Sequence, residues 1–180
     1  MDAEARESEA LQAMKASVPG NRDRLTGGAT EAALTRYAAA ALELAGSLGP
    51  PVCFLQVDVD GLAGIHQEFG AAVCEAVLLG VSDSLQEAIR ASDLVGRSAD
   101  GFGVCMPELT PAQARGAAAR LRHQVLANPV ATARGGMNLT CSIGFAMSAG
   151  AGDTAEALIG RARRARHMAQ CGGGDRVVAA

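Results

Sequence analysis

Residues 52 to 70 read VCFLQVDVDGLAGIHQEFG, and the hydrophobic pattern of this stretch changes its period in the middle. The apolar run from 52 to 57 follows a Gly-Pro-Pro sequence and is too short for a core helix, so it predicts a buried strand. Apolar side chains then recur at helical spacing, at Leu62, Ile65 and Phe69, and Gly70 follows them. The stretch therefore predicts a strand that leads directly into a helix.

Two acids, Asp58 and Asp60, stand where the predicted strand ends. An Asp-x-Asp pair at the mouth of a central strand offers hard oxygen ligands of the kind that Mg²⁺ shares with substrate phosphates. Aspartate is also a common residue for leaving a strand and capping the next helix. The pair alone leaves both roles open, and Asp58 is a weak candidate for a metal ligand.

The composition favours one compact domain. The chain has 180 residues, of which 49% are hydrophobic, and this length suffices to bury a core. Sixteen basic residues against nineteen acidic ones leave a net charge of -3, so no global field favours nucleic acid or an anionic membrane. The five cysteines form no C-x-x-C pair, which argues against a disulfide framework or a zinc site.

The sequence lacks the features of a membrane anchor. Its apolar runs are shorter than the roughly 18 residues that a spanning helix needs. The acidic N-terminus does not resemble a signal peptide. We therefore expect a cytoplasmic protein that makes no membrane contact.

Periodicity and turn residues predict the order of the elements. The sequence predicts helices over 2–17, from Thr30 to about 46, over 62–69, 71–90, 111–126 and 154–170, and strands over 52–57, 93–97, 102–106, 138–147 and 175–178. Residues 98–101 (SADG) have turn chemistry and predict a hairpin between two of these strands. Strands joined by a hairpin beside strands joined by helices imply an α/β layered domain with a mixed sheet.

Six short motifs occur in the order and spacing of the GGDEF domain, a nucleotidyl-cyclase-like family. They lie at 23–27 (DRLTG, similar to D-x-L-T-G), 58–70 (similar to D-x-D-x-F-K-x-I-N-D-x-x-G), 90–93 (RASD, at the R-x-x-D site), 98–102 (SADGF, at the G-G-D/E-E-F hairpin), 142–144 (SIG) and 162–169 (similar to A-D-x-A-L-Y-x-A). The resemblance covers residues 23 to 178, which is nearly the whole chain.

This resemblance implies both a fold and an activity. The fold would be a mixed, largely antiparallel sheet flanked by helices over residues 23–180, after an N-terminal helix or linker over 1–22. The family condenses two GTP molecules into cyclic di-GMP, with Mg²⁺ as the expected cofactor of an active member. By the resemblance, Asp58 would bind metal and Asp100 would activate the attacking 3′-hydroxyl, while His66 and Glu75 replace the family's Asn and Asp that contact guanine.

The substrate site also departs from the family pattern at the hairpin and near the C-terminus. Gly101 replaces an acid that binds metal, and the phosphate-binding Lys and Arg fall on Gln170 and Gly174. Phosphoryl transfer depends on cations that neutralise the triphosphate, so each lost contact lowers the rate. The sequence therefore predicts a catalytically degenerate domain in which Asp58 and Asp100 are vestigial and no cofactor is needed.

The R-x-x-D site is retained as Arg90 and Asp93, and by the resemblance Arg122 supplies another arginine to the same pocket. Arginine can form a bidentate fork with O6 and N7 of guanine, and a carboxylate can accept from its N1–H and amino group. The alternative is an exposed ion pair at a helix end that binds nothing. The leading hypothesis is a cyclic di-GMP receptor that signals by homodimerisation or through a protein partner.

Two other functions remain open from the sequence. An active diguanylate cyclase would use Asp58 and Asp100 for Mg²⁺, with His66 and Glu75 as the guanine contacts. A scaffold would bind partners but no nucleotide. The basic run over 161–166 is expected to be a solvated helix face rather than a nucleic-acid site, because no stacking aromatics accompany it.

Overall fold

The computed structural model of the protein describes residue 13, residues 21–46 and residues 49–180. Its helices are α1 (Glu31–Ala45), α2 (Leu62–Phe69), α3 (Ala71–Glu87), α4 (Pro111–Ala127) and α5 (Ala155–Cys171). Its strands are β1 (Cys53–Val59), β2 (Leu94–Ser98), β3 (Gly101–Met106), β4 (Val130–Thr132), β5 (Gly135–Met137), β6 (Cys141–Met147) and β7 (Val177–Ala179). The helix predicted over 2–17 lies outside the described residues, apart from residue 13.

Five of the strands form the central sheet, in the order β2-β3-β1-β6-β7. The neighbours are antiparallel except for β6 and β7, which are parallel. The strand that the sequence predicts over residues 52 to 57 is thus β1, the middle strand of the sheet. The structure confirms the predicted fold class of a mixed, largely antiparallel sheet flanked by helices.

Both faces of the sheet are covered, and the alternation of side chains along β1 explains how. Leu55 and Val57 point to one face, where they join a buried cluster with residues of α3 and α4. Phe54 points to the other face and packs with residues of α1 and α5, including Tyr37 and Leu158. Asp58 comes four residues after Phe54 on the same strand, so its side chain lies on the same face of the sheet, the face that α1 and α5 cover.

Helix α5 lies unusually close to the sheet at Gly144 on β6. A Cβ atom built on Gly144 would stand 1.9 Å from the backbone nitrogen of Arg166 and 2.3 Å from the carbonyl oxygen of Ala162. Only glycine permits this approach. Because Gly144 pairs with Gln56 on β1, the same contact brings Arg166 over the C-terminal end of β1.

The β2–β3 hairpin has a tighter turn than the sequence predicts. Ser98 pairs with Gly101, so only Ala99 and Asp100 form the turn, and Gly101 is already the first residue of β3. The positive φ of 121° falls on Gly101, where a Cβ atom would lie 2.3 Å from the carbonyl oxygen of Val57. The side chain that the family carries there has no room in this backbone.

The strand predicted over 138–147 is wrong at its start. The chain first makes β4 and β5, which pair antiparallel in a separate two-stranded sheet, and β6 begins only at Cys141. Within the part of the chain that the structure describes, no helix is long and apolar enough to span a bilayer.

Candidate functional site

The predicted catalytic acids come together at one edge of the central sheet. Antiparallel pairing of Val57 with Phe102 places the hairpin turn beside the end of β1. Asp58 leaves β1 at this edge and Asp100 stands at the tip of the turn. The structure therefore brings Asp58 and Asp100 to one place.

An arginine lies between these two acids. The Nη1 atom of Arg166 is 3.1 Å from Oδ2 of Asp58, and its Nη2 atom is 3.5 Å from Oδ2 of Asp100. The Arg166 side chain is only 13% exposed and that of Asp58 19%. Gln170, one helical turn further along α5, donates from Nε2 to the same Asp58 oxygen and accepts from Arg166 at 2.7 Å.

A second arginine of α5 extends this cluster to α1. Arg163 contacts Asp100 at 3.9 Å and forms an ion pair with Glu31 in the first turn of α1. Glu31 also accepts a hydrogen bond from the backbone N–H of Ala99 at 3.0 Å. Glu31 thus holds the hairpin turn and α5 together.

The other acid of the Asp-x-Asp pair has a structural role. Asp60 accepts hydrogen bonds from the hydroxyls of Thr140 and Ser142 at 2.7 and 2.6 Å, and from the backbone N–H of Asp175 at 2.8 Å. It does not cap α2, which begins after Gly61 without a side-chain cap. Asp60 fastens the segment after α5 to the end of the sheet.

The residues present do not fit the divalent metal that an active family member would use. Asp58 is paired with Arg166 and Gln170, Asp60 is occupied by three donors, and Gly101 has no side chain. Among the described residues, no group of three His, Cys, Asp or Glu side chains is arranged to hold a metal ion. A cation is already supplied by the chain itself.

The electrostatics of the cluster follow from burial and from the arginines. Burial raises the pKa of the Asp58 carboxyl, and the charge of Arg166 and the Gln170 hydrogen bond offset only part of that rise. Burial also acts to raise the pKa of Glu31, but the Ala99 amide and Arg163 outweigh it, so this pKa lies below its ordinary value. The protein therefore favours the charged form of Glu31 more than that of Asp58.

The R-x-x-D residues form an ion pair at the corner between α3 and β2. Asp93 accepts from the backbone N–H of Arg90 at 2.9 Å and from its guanidinium at 3.2 and 3.4 Å. Arg90 also donates to the carbonyl oxygen of Pro107 at 3.0 Å. The Asp93 side chain is 1% exposed, whereas that of Arg90 is 48% exposed.

The structure does not bring Arg122 to this corner. Arg122 pairs with the carboxylate of Asp175 at 2.8 Å, near the end of α5. Arg120 instead contacts the end of α3, where its Nε donates to the carbonyl oxygen of Ala88 at 3.4 Å, two residues before Arg90. An α-helix turns about 100° per residue, so side chains two apart point about 200° away from each other.

The predicted guanine contacts, His66 and Glu75, are exposed on α2 and α3. The structure gives neither side chain a partner within the described residues. Their predicted role stays a prediction.

Sequence reasoning missed Arg166 and Glu31 as members of the site, and it placed Gln170 there only as the replacement of a phosphate-binding lysine. One signal was available, since residues 163, 166 and 170 share a face of α5 next to the alanines at 162, 165 and 169, which are buried. In the structure, most arginines of the basic run over 161–166 form ion pairs with acidic side chains. Arg161 forms an ion pair with Asp153, and Arg163 and Arg166 bind the acid cluster.

Comparisons with known proteins agree with this architecture. A family model described as "Diguanylate cyclase, GGDEF domain" matches residues 20–176. Response regulator PleD of Caulobacter vibrioides (strain NA1000 / CB15N) is 37% identical over 133 residues, which make up 72% of this chain and 29% of that protein. The chain thus spans less than a third of the length of this relative.

Solved structures show the same fold. The GGDEF domain of PA1120 (TpbB or YfiN) from Pseudomonas aeruginosa has a TM-score of 0.82 at 25% identity, covering 88% of this chain and 94% of that one. The GGDEF domain of DgcB from Caulobacter crescentus, solved in complex with c-di-GMP, has a TM-score of 0.83 at 20% identity, covering 90% and 96%. The second match bears on the fold alone.

Proposed function

This chain belongs to the GGDEF diguanylate cyclase domain family, and from that premise we propose that it is a catalytically degenerate member that binds cyclic di-GMP and acts as a receptor in signalling. The observation that carries the proposal is the position of Arg166, which forms ion pairs with both Asp58 and Asp100 at the edge of the sheet, while Arg90 keeps a half-exposed guanidinium at the R-x-x-D corner.

Loss of catalysis follows from the charges at the edge of the sheet. Transfer of a nucleotidyl group needs metal ions and cations around the triphosphate, and each missing contact costs about one to several kcal/mol of transition-state stabilisation. Here Gly101 supplies no acid, and Gln170 and Gly174 supply no cation. At about 1.4 kcal/mol per factor of ten, these losses together lower the rate by several orders of magnitude.

Ligand binding is supported by the arginines at the R-x-x-D corner. Arg90 is about half exposed, although its Nε and Nη2 groups donate to Asp93 and Pro107, and Arg120 on α4 reaches the end of the same helix, α3. Two guanidinium groups at one corner suit a ligand that has two guanine edges and two phosphates. We therefore assign Arg90, Asp93 and Arg120 to the ligand site, with Arg120 in the role first expected of Arg122.

Titration calorimetry with cyclic di-GMP tests the receptor function. We expect saturable binding that Arg90→Ala abolishes and Arg120→Ala weakens. Arg164→Ala is the matched control, because Arg164 is exposed on α5 and away from the corner. A flat titration of the unmutated protein at high ligand concentration would reject the receptor proposal. Incubation with GTP and Mg²⁺ or Mn²⁺ tests the active cyclase, and we expect no cyclic di-GMP.

A nucleotide-free scaffold is the second candidate, and the burial of Asp93 favours it. All of the Asp93 contacts are made within the protein, so a guanine could reach the carboxylate only by displacing Arg90. A scaffold predicts that neither GTP nor cyclic di-GMP shifts the melting temperature, because a ligand stabilises a protein only by binding its folded state. Signalling would then pass through a protein partner or a second copy of the chain.

A further inference from the structure

Three carboxylates and two guanidinium groups meet at the edge of the sheet where β1 ends. Arg166 contacts Asp58 at 3.1 Å and Asp100 at 3.5 Å, and Arg163 contacts Asp100 at 3.9 Å and pairs with Glu31. The acids come from β1, from the hairpin turn and from α1, whereas both arginines come from α5. One helix therefore supplies the positive charge for three separate segments.

The charge of Arg166 stabilises this cluster, although the hydrogen bonds of its guanidinium are incomplete. A carboxylate that is taken out of water needs a cation or several donors to remain ionised. Arg166 is largely buried and provides such a charge to Asp58, but within the described part of the chain its own buried Nε–H has no hydrogen-bond acceptor, and neither has that of Arg163. The position of Arg166 thus satisfies the carboxylates of Asp58 and Asp100 but not all of its own hydrogen-bond donors.

We propose that Arg166 is a built-in substitute for a divalent cation: it joins the carboxylates of Asp58 and Asp100, and these acids become a divalent-cation site only when the guanidinium is removed. A guanidinium keeps its charge throughout the pH range in which proteins are folded. Because it is covalently attached to α5, no chelator removes it. A divalent ion entering beside it would meet like-charge repulsion at close range. The inference concerns the acid pair alone and does not depend on ligand binding at Arg90.

The test is the response of an Arg166→Met variant to Mn²⁺ after treatment with a chelator. We expect no change in the melting temperature of the unmutated protein. The variant should melt at a lower temperature without metal and recover by about 3–6 °C when Mn²⁺ is tenfold above its dissociation constant. Adding Asp58→Asn to the variant should abolish the recovery. Electron paramagnetic resonance of Mn²⁺ should show one bound ion in Arg166→Met and none in the unmutated protein.

Arg161→Met is the matched control for this test. Arg161 lies on the same helix and pairs with an acid, Asp153, but among the described residues no second carboxylate shares its guanidinium. Its removal should therefore lower stability without creating Mn²⁺ binding. If Arg161→Met gains Mn²⁺ binding as strongly as Arg166→Met does, the gain is not due to the acid pair and the proposal fails.

Two results with the main variants would overturn the proposal. The first is a folded Arg166→Met protein that gains no Mn²⁺ binding, with Arg166→Gln as the second variant if methionine prevents folding. The second is saturable Mn²⁺ binding by the unmutated protein that Asp58→Asn removes. If neither variant folds, the titration of the unmutated protein decides, since absence of binding supports the substitution and binding at Asp58 rejects it.

Discussion

Two of the arginine–aspartate contacts, Arg166–Asp100 at the edge of the sheet and Arg90–Asp93 at the corner between α3 and β2, are buried in opposite senses. At the edge of the sheet the arginine, Arg166, is the buried partner, while Asp100 is about half exposed. At the corner between α3 and β2 the acid, Asp93, is buried and Arg90 is about half exposed. The group that faces solvent decides what each region can bind. The corner exposes part of a guanidinium group that already donates to Asp93 and Pro107, whereas the edge exposes a carboxylate, Asp100, whose cation is already in place.

The backbone explains why the two regions differ. Asp93 is drawn inward because it accepts the N–H of Arg90 and so closes the turn between α3 and β2. Arg166 is buried because α5 packs directly against Gly144. This contact places the Arg166 side chain along the end of β1. One pair is thus fixed by a local turn and the other by contact between distant segments.

The largest effect is expected from Gly144→Ala, which attacks the edge and spares the corner. The added methyl group overlaps the α5 backbone, so the helix must move away from the sheet. We expect the free energy of unfolding to fall by about 3 kcal/mol, as for severe overpacking of a core. Chemical denaturation measures this loss. A change within about 0.5 kcal/mol, the range of ordinary surface substitutions, would mean that α5 is not seated as described.

The next effect is expected from Asp93→Ala, which attacks the corner. The substitution leaves the Arg90 N–H without its acceptor and removes a buried partner of the guanidinium. Because Arg90 can turn to solvent, we expect a loss of about 2 kcal/mol rather than the larger cost of a fully buried pair. Urea denaturation gives the value, with Asp83→Ala on the exposed side of α3 as the control. Equal stability of the two variants would show that burial of Asp93 does not hold the corner.

The elements with a clear period were predictable from the sequence. β1 and α3 follow their hydrophobic patterns, and Thr30 and Thr154 cap α1 and α5 through side-chain hydrogen bonds. The β4–β5 ribbon was not predictable, because strands of three residues have no measurable period and a Gly-Gly sequence favours a turn.

The site was predictable in its acids but not in their partners. Asp58 could be found because it follows a predicted strand, and Asp100 because the SADGF hairpin resembles the G-G-D/E-E-F signature of the family. Arg166 could not, since its distance along the chain from Asp58 is 108 residues and the contact depends on how closely α5 packs. The sequence placed Arg122 beside Arg90, but Arg122 pairs with Asp175, and it is Arg120, on nearly the opposite side of the helix, that contacts the end of α3.

The Arg161–Asp153 pair, in which the arginine contacts a single acid, provides a reference for the two regions. Arg161 binds Asp153 through two hydrogen bonds, and this contact lowers the pKa of Asp153 despite its burial. A folded-state pKa below the unfolded value of 3.8 stabilises the protein above that value, and the gain is lost as the pH falls through the folded pKa. We expect Arg161→Met to cost about 1 kcal/mol at pH 7 and progressively less below pH 3.8. Urea denaturation across this range measures the difference, and a cost that grew toward low pH would have the wrong sign.

The smallest effect is expected from Gly160→Ala, with the opposite sign to that of Gly144→Ala. Gly160 lies inside α5, and the nearest atom to an added Cβ is the end of the flexible Arg164 side chain, at 3.7 Å. Alanine restricts the unfolded chain and favours the helix, so we expect the free energy of unfolding to rise by about 0.5–1 kcal/mol. The variant should leave both arginine–aspartate regions intact, because it strengthens α5 without moving it. A loss of stability in thermal or chemical denaturation would show that this side of α5 is not open to solvent, and the assignment of its inward face to Arg163 and Arg166 would have to change with it.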